Sequence, residues 1–137
     1  MSETGEEDET DEMREWVRKN MAANPPSVLR DNRDRAAKFV GVAEDGSVAV
    51  KSGDSWRDRD RIAAYYLGKH YVTAAGYATE AVVENQELST NLGIPENSVA
   101  PRVKELRDGR VISSVGNGRH ILPLSGVTRV LDELEKL

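Results

Sequence analysis

Cysteine is absent from this 137-residue chain, which excludes disulfide bonds, thiolate metal sites and cysteine nucleophiles. Histidine is nearly as scarce, since the chain has only His70 and His120. Two histidines cannot assemble a multi-histidine metal site. No run approaches the roughly 18 apolar residues of a membrane span, and the acidic N-terminus is unlike the basic start of a signal peptide. We therefore expect a cytoplasmic protein without a membrane segment, metal, cofactor or catalytic residues, since no acid/base or nucleophile constellation is apparent.

Charge is divided unevenly along the chain. Residues 1–13 contain seven acids and no base, whereas the remaining 124 residues contain 17 acids and 19 bases. Because residues 1–11 carry no apolar side chain besides the first methionine, they cannot offset the entropy that is lost on ordering. The sequence therefore predicts a disordered acidic arm at residues 1–13, either a solubilising tail or a competitor for a basic surface.

Residues 14–54 are predicted to form an N-terminal extension of two short helices and a β-hairpin. The run MREWVRKNM at residues 13–21 suits a short helix that ends before the Pro-Pro pair. Ser27 is a favourable N-cap for a second helix over VLRDNRDR. Farther on, β-branched residues flank the Glu-Asp-Gly turn at residues 44–46, a pattern typical of a hairpin.

The strongest helical pattern begins near Ser55 and ends near Gly76. The run Ser-Trp-Arg-Asp that starts at Ser55 has capping-box spacing, and apolar residues then recur at helical intervals. Gly68 lies inside this helix, where glycine costs about 1 kcal/mol relative to alanine. We therefore expect another element to approach closely at Gly68. His70 lies in the apolar stripe and is predicted to be a buried, hydrogen-bonded side chain rather than a metal ligand.

A helix-turn-helix pattern follows. Residues 85–92 have the apolar spacing of a short helix, and the Gly-Ile-Pro run at residues 93–95 interrupts it. A second helix comes next, with Val99, Val103 and Leu106 on its inward face. A short helix, a three-residue turn with glycine and a second helix together form helix-turn-helix geometry.

A two-stranded hairpin is predicted after the second helix. Val111, Ile112 and Val115 suit one strand, Gly116-Asn117-Gly118 forms a tight turn, and residues 119–122 form the return strand.

The last element is an amphipathic helix over residues 125–137. It is too short for a free coiled coil, so it either packs on the domain or forms a dimer contact with a second copy of the chain. Its predicted inward residues are Val127, Val130, Leu131, Leu134 and Leu137.

The order of a helix, a helix-turn-helix and a two-stranded wing resembles the winged helix-turn-helix family. The stretch ELSTNLGIPENSVAPRVKELRDGRVI carries the resemblance, which covers roughly residues 57–137. With the preceding hairpin and the run YYLGKHY, the chain is similar to a group of small archaeal winged-helix proteins. Few lysines among many acids resemble the composition of salt-adapted haloarchaeal proteins. The resemblance implies an α+β fold with a winged helix-turn-helix domain at residues 55–137.

The recognition helix of such a domain buries one face and turns the other toward the major groove of DNA. Asparagine can pair with adenine and arginine with guanine, so the outward residue types permit base readout. Pro101 fits such a helix if the helix begins near Asn97 or Ser98, which places the proline in or next to the first turn. The candidate DNA-binding residues of the helix and the wing are Asn97, Ser98, Pro101, Arg102, Lys104, Asn117 and Arg119.

Two functions remain open at this point. The chain is either a non-catalytic transcriptional regulator that binds double-stranded DNA, or a winged-helix module that docks on a larger protein or nucleoprotein complex. Residues 86–122 hold five bases and four acids, which is little positive charge for a DNA-binding surface. In a salt-rich cytoplasm, however, counterion release contributes little to binding. A positive potential that extends from the recognition helix onto the wing would favour the regulator.

Overall fold

The computed structural model describes residues 10–17 and 25–137 of the chain. Within these residues the fold is α+β, as the sequence predicts, with short helices and two small antiparallel sheets. The helices are α1 (residues 10–17), α2 (Pro25–Asp31), α3 (Arg33–Ala36), α4 (Asp58–Ala74), α5 (Asn85–Leu92), α6 (Glu96–Asp108) and α7 (Val127–Glu135). The strands are β1 (Val40–Val42), β2 (Val48–Val50), β3 (Val83–Glu84), β4 (Ser113–Gly116) and β5 (Arg119–Ile121).

The N-terminal arm differs from its prediction at its C-terminal end. Residues 10–13 are helical, so the prediction of disorder is wrong for these four residues. Asp11 and Glu12 lie in the first turn of α1, where negative side chains interact favourably with the helix macrodipole. Residues 1–9, and the part of the predicted 13–21 helix beyond residue 17, lie outside the described residues.

The second helix begins earlier than predicted and is divided in two. It begins at Pro25, so the assignment of Ser27 as an N-cap is wrong. Proline suits the first turn because the N–H that it lacks would have no helical partner there. At the other end, the Asn32 side-chain amide donates to the Val28 carbonyl at 2.9 Å, and this asparagine separates α2 from α3.

The predicted β-hairpin is confirmed. Strands β1 and β2 pair in antiparallel register, with Val40 opposite Val50 and Val42 opposite Val48. At the turn between them, a carboxylate oxygen of Asp45 accepts hydrogen bonds from the backbone N–H of Ser47 at 3.0 Å and from its hydroxyl at 2.6 Å.

Helix α4 has the predicted stop but a different start. Its N-cap is Arg57, whose backbone N–H donates to the Asp60 carboxylate at 2.9 Å, so the capping box predicted from Ser55 is displaced by two residues. The helix ends at Ala74, and Gly76 just beyond it has a φ of 89° and lets the Tyr77 N–H donate to the Val72 carbonyl at 2.9 Å. The prediction of Gly76 as the stop is confirmed.

The close approach predicted at Gly68 is also confirmed. A Cβ atom placed on Gly68 would lie 2.5 Å from Val48 Cγ1 and 3.3 Å from the side chain of Val40. The hairpin therefore packs directly on the backbone of α4. Glycine is required here because no other residue leaves room for both valines.

The second sheet has three strands in the order β3-β5-β4, all antiparallel. Strand β5 and its turn to β4 match the predicted wing, although Gly116 belongs to β4. The first wing strand is shifted from its prediction, because Val111 and Ile112 precede β4 and are buried. The Val111 N–H bonds to the Leu106 carbonyl at the end of α6, so it is not available to a strand ladder. Strand β3 was not predicted.

One hydrophobic cluster runs from Leu29 to Leu134 and includes residues of both predicted folded ranges, 14–54 and 55–137. Helix α4 is at its centre, since its residues 62–68 are all buried. Helix α7 packs on this cluster through four of its predicted inward residues, whereas Leu137 is 48% exposed. The apolar face of α7 therefore packs against its own chain. None of the described helices combines the length and apolar character that crossing a membrane requires.

Candidate nucleic-acid interface

Helices α5 and α6 follow one another in the predicted order and are joined by a three-residue turn. Gly93 ends α5 in the left-handed conformation with a φ of 68°, and Ile94 in the turn is buried. The Ser89 hydroxyl donates to the Ile94 carbonyl at 2.6 Å, which fixes the turn against α5. Helix α6 buries Val99 and Val103, together with Leu106, as predicted.

A polar cluster holds α5 against α4. The Tyr65 hydroxyl and the Lys69 ammonium both donate to one carboxylate oxygen of Glu87, at 2.6 Å and 2.7 Å. The Asn91 side-chain amide donates to the Tyr65 hydroxyl at 2.6 Å. Burial raises the pKa of Tyr65, and the Glu87 carboxylate raises it further, so the phenol keeps its proton. These contacts fix the angle at which α5 presents the following turn and α6.

The exposed face of α6 lines a groove of about 600 Å³ that we call the α4–α6 groove. Four predicted DNA-binding residues line it, namely Asn97, Ser98, Pro101 and Arg102. Glu105 lies on the same wall.

The opposite wall of the α4–α6 groove comes from the start of α4, with Arg57, Asp58 and Arg59. Arg57 and Arg59 are not among the site residues predicted from the sequence. No local pattern could identify them, because they are about 40 residues away in sequence from α6. Their position opposite Arg102 follows only from the packing of α4 against α6.

The charge balance of the α4–α6 groove is positive by one. Arg102 forms an ion pair with Glu105 at 3.2 Å, and Asp58 forms one with Arg61 at 3.5 Å. Arg57 and Arg59 are exposed and have no ion pair within the described part of the chain. The wall from α4 thus supplies two cations that are not neutralised, positioned to hold a polyanion across the groove.

Pro101 lies deeper in α6 than expected. The helix begins at Glu96, so the proline is its sixth residue and falls in the second turn. Pro101 therefore lies next to the first turn, although the helix begins one or two residues earlier than expected. Proline has no N–H to donate to the carbonyl of Asn97, four residues earlier. The Asn97 carbonyl therefore lacks its usual helical partner.

The other three candidate residues do not line this groove. Lys104 is exposed on α6 and Asn117 is exposed at the wing turn. Arg119 is half-buried and forms ion pairs with Glu80 at 2.5 Å and with Glu84 at 3.9 Å. Its guanidinium therefore lies against acidic side chains of β3 and the preceding loop. The positive charge of the groove does not continue onto the wing through Arg119.

Both histidines are buried, in different surroundings. His70 donates through Nε2 to the Leu122 carbonyl at 2.6 Å, so the predicted buried and hydrogen-bonded histidine is confirmed. Burial lowers the pKa of His70. Burial also lowers the pKa of His120 in the central strand β5, and the positive charge of Arg107 lowers it further. Neither ring nitrogen of His120 has a hydrogen-bond partner among the described residues.

Within residues 10–17 and 25–137, no three histidine, aspartate or glutamate side chains converge as metal ligands would. The α4–α6 groove combines amide, hydroxyl and guanidinium groups. Comparison of the chain with protein-family models, with curated proteins and with solved structures gives no match.

Proposed function

We propose that residues 55–137 form a winged helix-turn-helix domain, and that the protein is a non-catalytic transcriptional regulator of the cytoplasm that binds double-stranded DNA. The order of elements supports this assignment: α4, then α5 and α6 joined by a three-residue turn, then the β4–β5 hairpin as the wing. Strand β3, between α4 and α5 in sequence, pairs with β5 and anchors the wing to the three helices.

The α4–α6 groove is the observation that carries the proposal. Asn97 and Arg102 on α6 are residue types that read adenine and guanine edges in the major groove. Arg57 and Arg59 on the facing wall are exposed cations suited to the phosphates that border a major groove. Base-reading groups flanked by phosphate-binding groups are the arrangement that sequence-specific DNA recognition needs.

Pro101 lies in the interior of α6, where it cannot donate an N–H to the Asn97 carbonyl. Removal of a proline from a helix interior normally stabilises the helix. A Pro101→Ala variant of this protein is therefore expected to be more stable.

The proposal is tested by selecting DNA from a random duplex pool with the full chain and then measuring affinities by fluorescence anisotropy at fixed salt. Arg102→Ala should weaken binding to the selected sequence by about 5- to 150-fold, which corresponds to about 1 to 3 kcal/mol, and relax one base position. Arg33→Ala is the matched control, because it removes one exposed arginine that does not line the groove. An unselected pool, or equal affinities for the two variants, would contradict the proposal.

The second candidate function is docking on a protein or nucleoprotein complex, and the wing favours it. Arg119 is neutralised by Glu80 and Glu84, and Val115 on β4 is 46% exposed. An uncharged wing with an exposed apolar side chain suits a protein partner better than phosphate. The same anisotropy series separates the two functions, because a docking module would bind no duplex more tightly than random DNA even at low salt.

A further inference from the structure

A second groove lies at the other end of α4. It has a volume of about 510 Å³, within the range of small-molecule sites, and is formed between α2, α3 and the last turns of α4. We call it the α2–α4 groove. Helix α4 has 17 residues and is about 25 Å long at 1.5 Å per residue, so the two grooves are separated by nearly the whole helix.

The walls of the α2–α4 groove are mainly apolar. Leu29 of α2, Tyr71 and Ala74 of α4 line it. The Tyr71 hydroxyl donates to the Leu29 carbonyl at 2.8 Å, so the polar end of this side chain already has a hydrogen-bond partner. The ring of Tyr71 is therefore part of the apolar wall. His70 also lines the groove, with its Nε2 bonded to the Leu122 carbonyl. An aromatic or branched aliphatic body would bury apolar surface against these side chains.

The charges of the α2–α4 groove are of one sign. Arg30 and Arg33 line it, and no acidic residue does among the described residues. Both arginines are exposed, and their guanidinium groups form no hydrogen bond or ion pair with described residues. Arg35, two residues farther along, is by contrast bound to Asp132 and Glu135. Two unpaired guanidinium groups at the rim of an apolar groove offer a carboxylate the fork-shaped donors that it prefers.

We propose that the α2–α4 groove binds a small monocarboxylic acid with an aromatic or branched aliphatic body. Arg30 and Arg33 hold the carboxylate, and Leu29, Tyr71 and Ala74 cover the apolar body. The positive charge of Arg30 and Arg33 at the rim disfavours a cationic ligand, and the apolar walls disfavour a strongly polar one such as inorganic phosphate. The proposal does not depend on DNA binding.

The experiment titrates the full chain with three probes that share one body: 4-phenylbutyrate, 4-phenylbutan-1-ol and 4-phenylbutylamine. Binding is followed by amide chemical shifts in two-dimensional NMR. We expect saturable shifts at the amides of Leu29 and Thr73, which both line the groove. The carboxylate should bind about fivefold more tightly than the alcohol for each arginine that it contacts, and the amine should bind most weakly.

Variants assign the preference to the two arginines. The double variant Arg30→Gln with Arg33→Gln should bind the carboxylate and the alcohol equally. Arg59→Gln, which removes one exposed arginine from the other groove, should leave the preference unchanged. Ala74 is exposed, so Ala74→Leu should fill the groove without unfolding the chain. This variant should weaken the binding of all three probes together.

Three results would overturn the proposal. The first is equal affinity of the original chain for the three probes, which indicates nonspecific apolar contact. The second is a carboxylate preference that survives in the double arginine variant. The third is an absence of saturable shifts at the groove, which indicates that a second copy or another segment of the chain covers it.

Discussion

Gly68→Ala is expected to destabilise the protein, although alanine normally stabilises a helix interior. In α4 the added Cβ would lie 2.5 Å from Val48 Cγ1 and 3.3 Å from Val40. Both valines are buried in the core, 7% and 4% exposed, and their short branched side chains have few rotamers available. The hairpin must therefore move away from the helix, or the helix must bend.

The magnitude follows from two opposing effects. Replacing glycine by alanine in a helix interior stabilises by about 1 kcal/mol. Forcing an extra carbon into a packed core costs about 1 to 3 kcal/mol, and a 2.5 Å contact with a stiff side chain belongs at the upper end of that range. We expect a net loss of about 1 to 2 kcal/mol in the free energy of unfolding, which lowers the Tm by roughly 3 to 10 °C.

The assay is urea denaturation followed by circular dichroism, with Val48→Ala as a second background. Val48→Ala removes the Cγ1 atom that the new methyl group would contact. Gly68→Ala should therefore be neutral or stabilising in the Val48→Ala chain, and the coupling energy between the two sites should be about 1 to 3 kcal/mol. If Gly68→Ala alone raises the midpoint of unfolding, the hairpin does not pack on α4 at Gly68 and the reasoning is refuted.

Three further predictions concern the core, pH and the acidic arm. Leu106→Ala should lower the free energy of unfolding by about 2 to 5 kcal/mol in denaturant titrations, because Leu106 is 1% exposed at the centre of the helix-turn-helix, and an unchanged midpoint would disprove its packing. Burial lowers the pKa of His120 in the folded state, so the unfolded chain binds the proton more tightly and stability should fall as the pH drops below about 6.5. His120→Leu should reduce the slope of the free energy of unfolding between pH 7 and 5 without abolishing it, because burial also lowers the pKa of His70, and an undiminished slope would exclude a contribution from His120. Deletion of residues 1–13 should tighten DNA binding at low salt and have no effect near 1 M salt, where the Debye length is about 3 Å, whereas equal affinities at low salt would leave the arm a solubilising tail.

Helix and turn positions followed from local sequence. The spacing of Val99, Val103 and Leu106 identified the buried face of α6, and Gly93 marked the turn before it. Gly68 in a strong helical pattern predicted a close approach, which the hairpin supplies. The buried face and the turn depend on interactions within about four residues. A glycine inside a helix is favoured only where a side chain would not fit. Both kinds of feature can therefore be predicted from the sequence alone.

Element ends were predicted less well, again for a local reason. Helices α2, α4 and α6 begin at Pro25, Asp58 and Glu96 instead of at the positions predicted from the sequence. A helix start is decided by small differences among neighbouring caps, and packing of the following turns outweighs them. Strand β3 has two residues and no alternating pattern, so its existence depends wholly on the ladder that β5 offers.

The composition of the two grooves was decided by tertiary structure. Arg57 and Arg59 join Arg102 because α4 and α6 pack side by side, and Arg119 leaves the predicted surface because Glu80 lies within 2.5 Å of it. The sequence by itself determined which helix faces are buried, since burial follows from the period of apolar residues along one element. Which charged side chains meet on the outside depends on the angles between elements distant in sequence, and those angles are determined by the packed core as a whole.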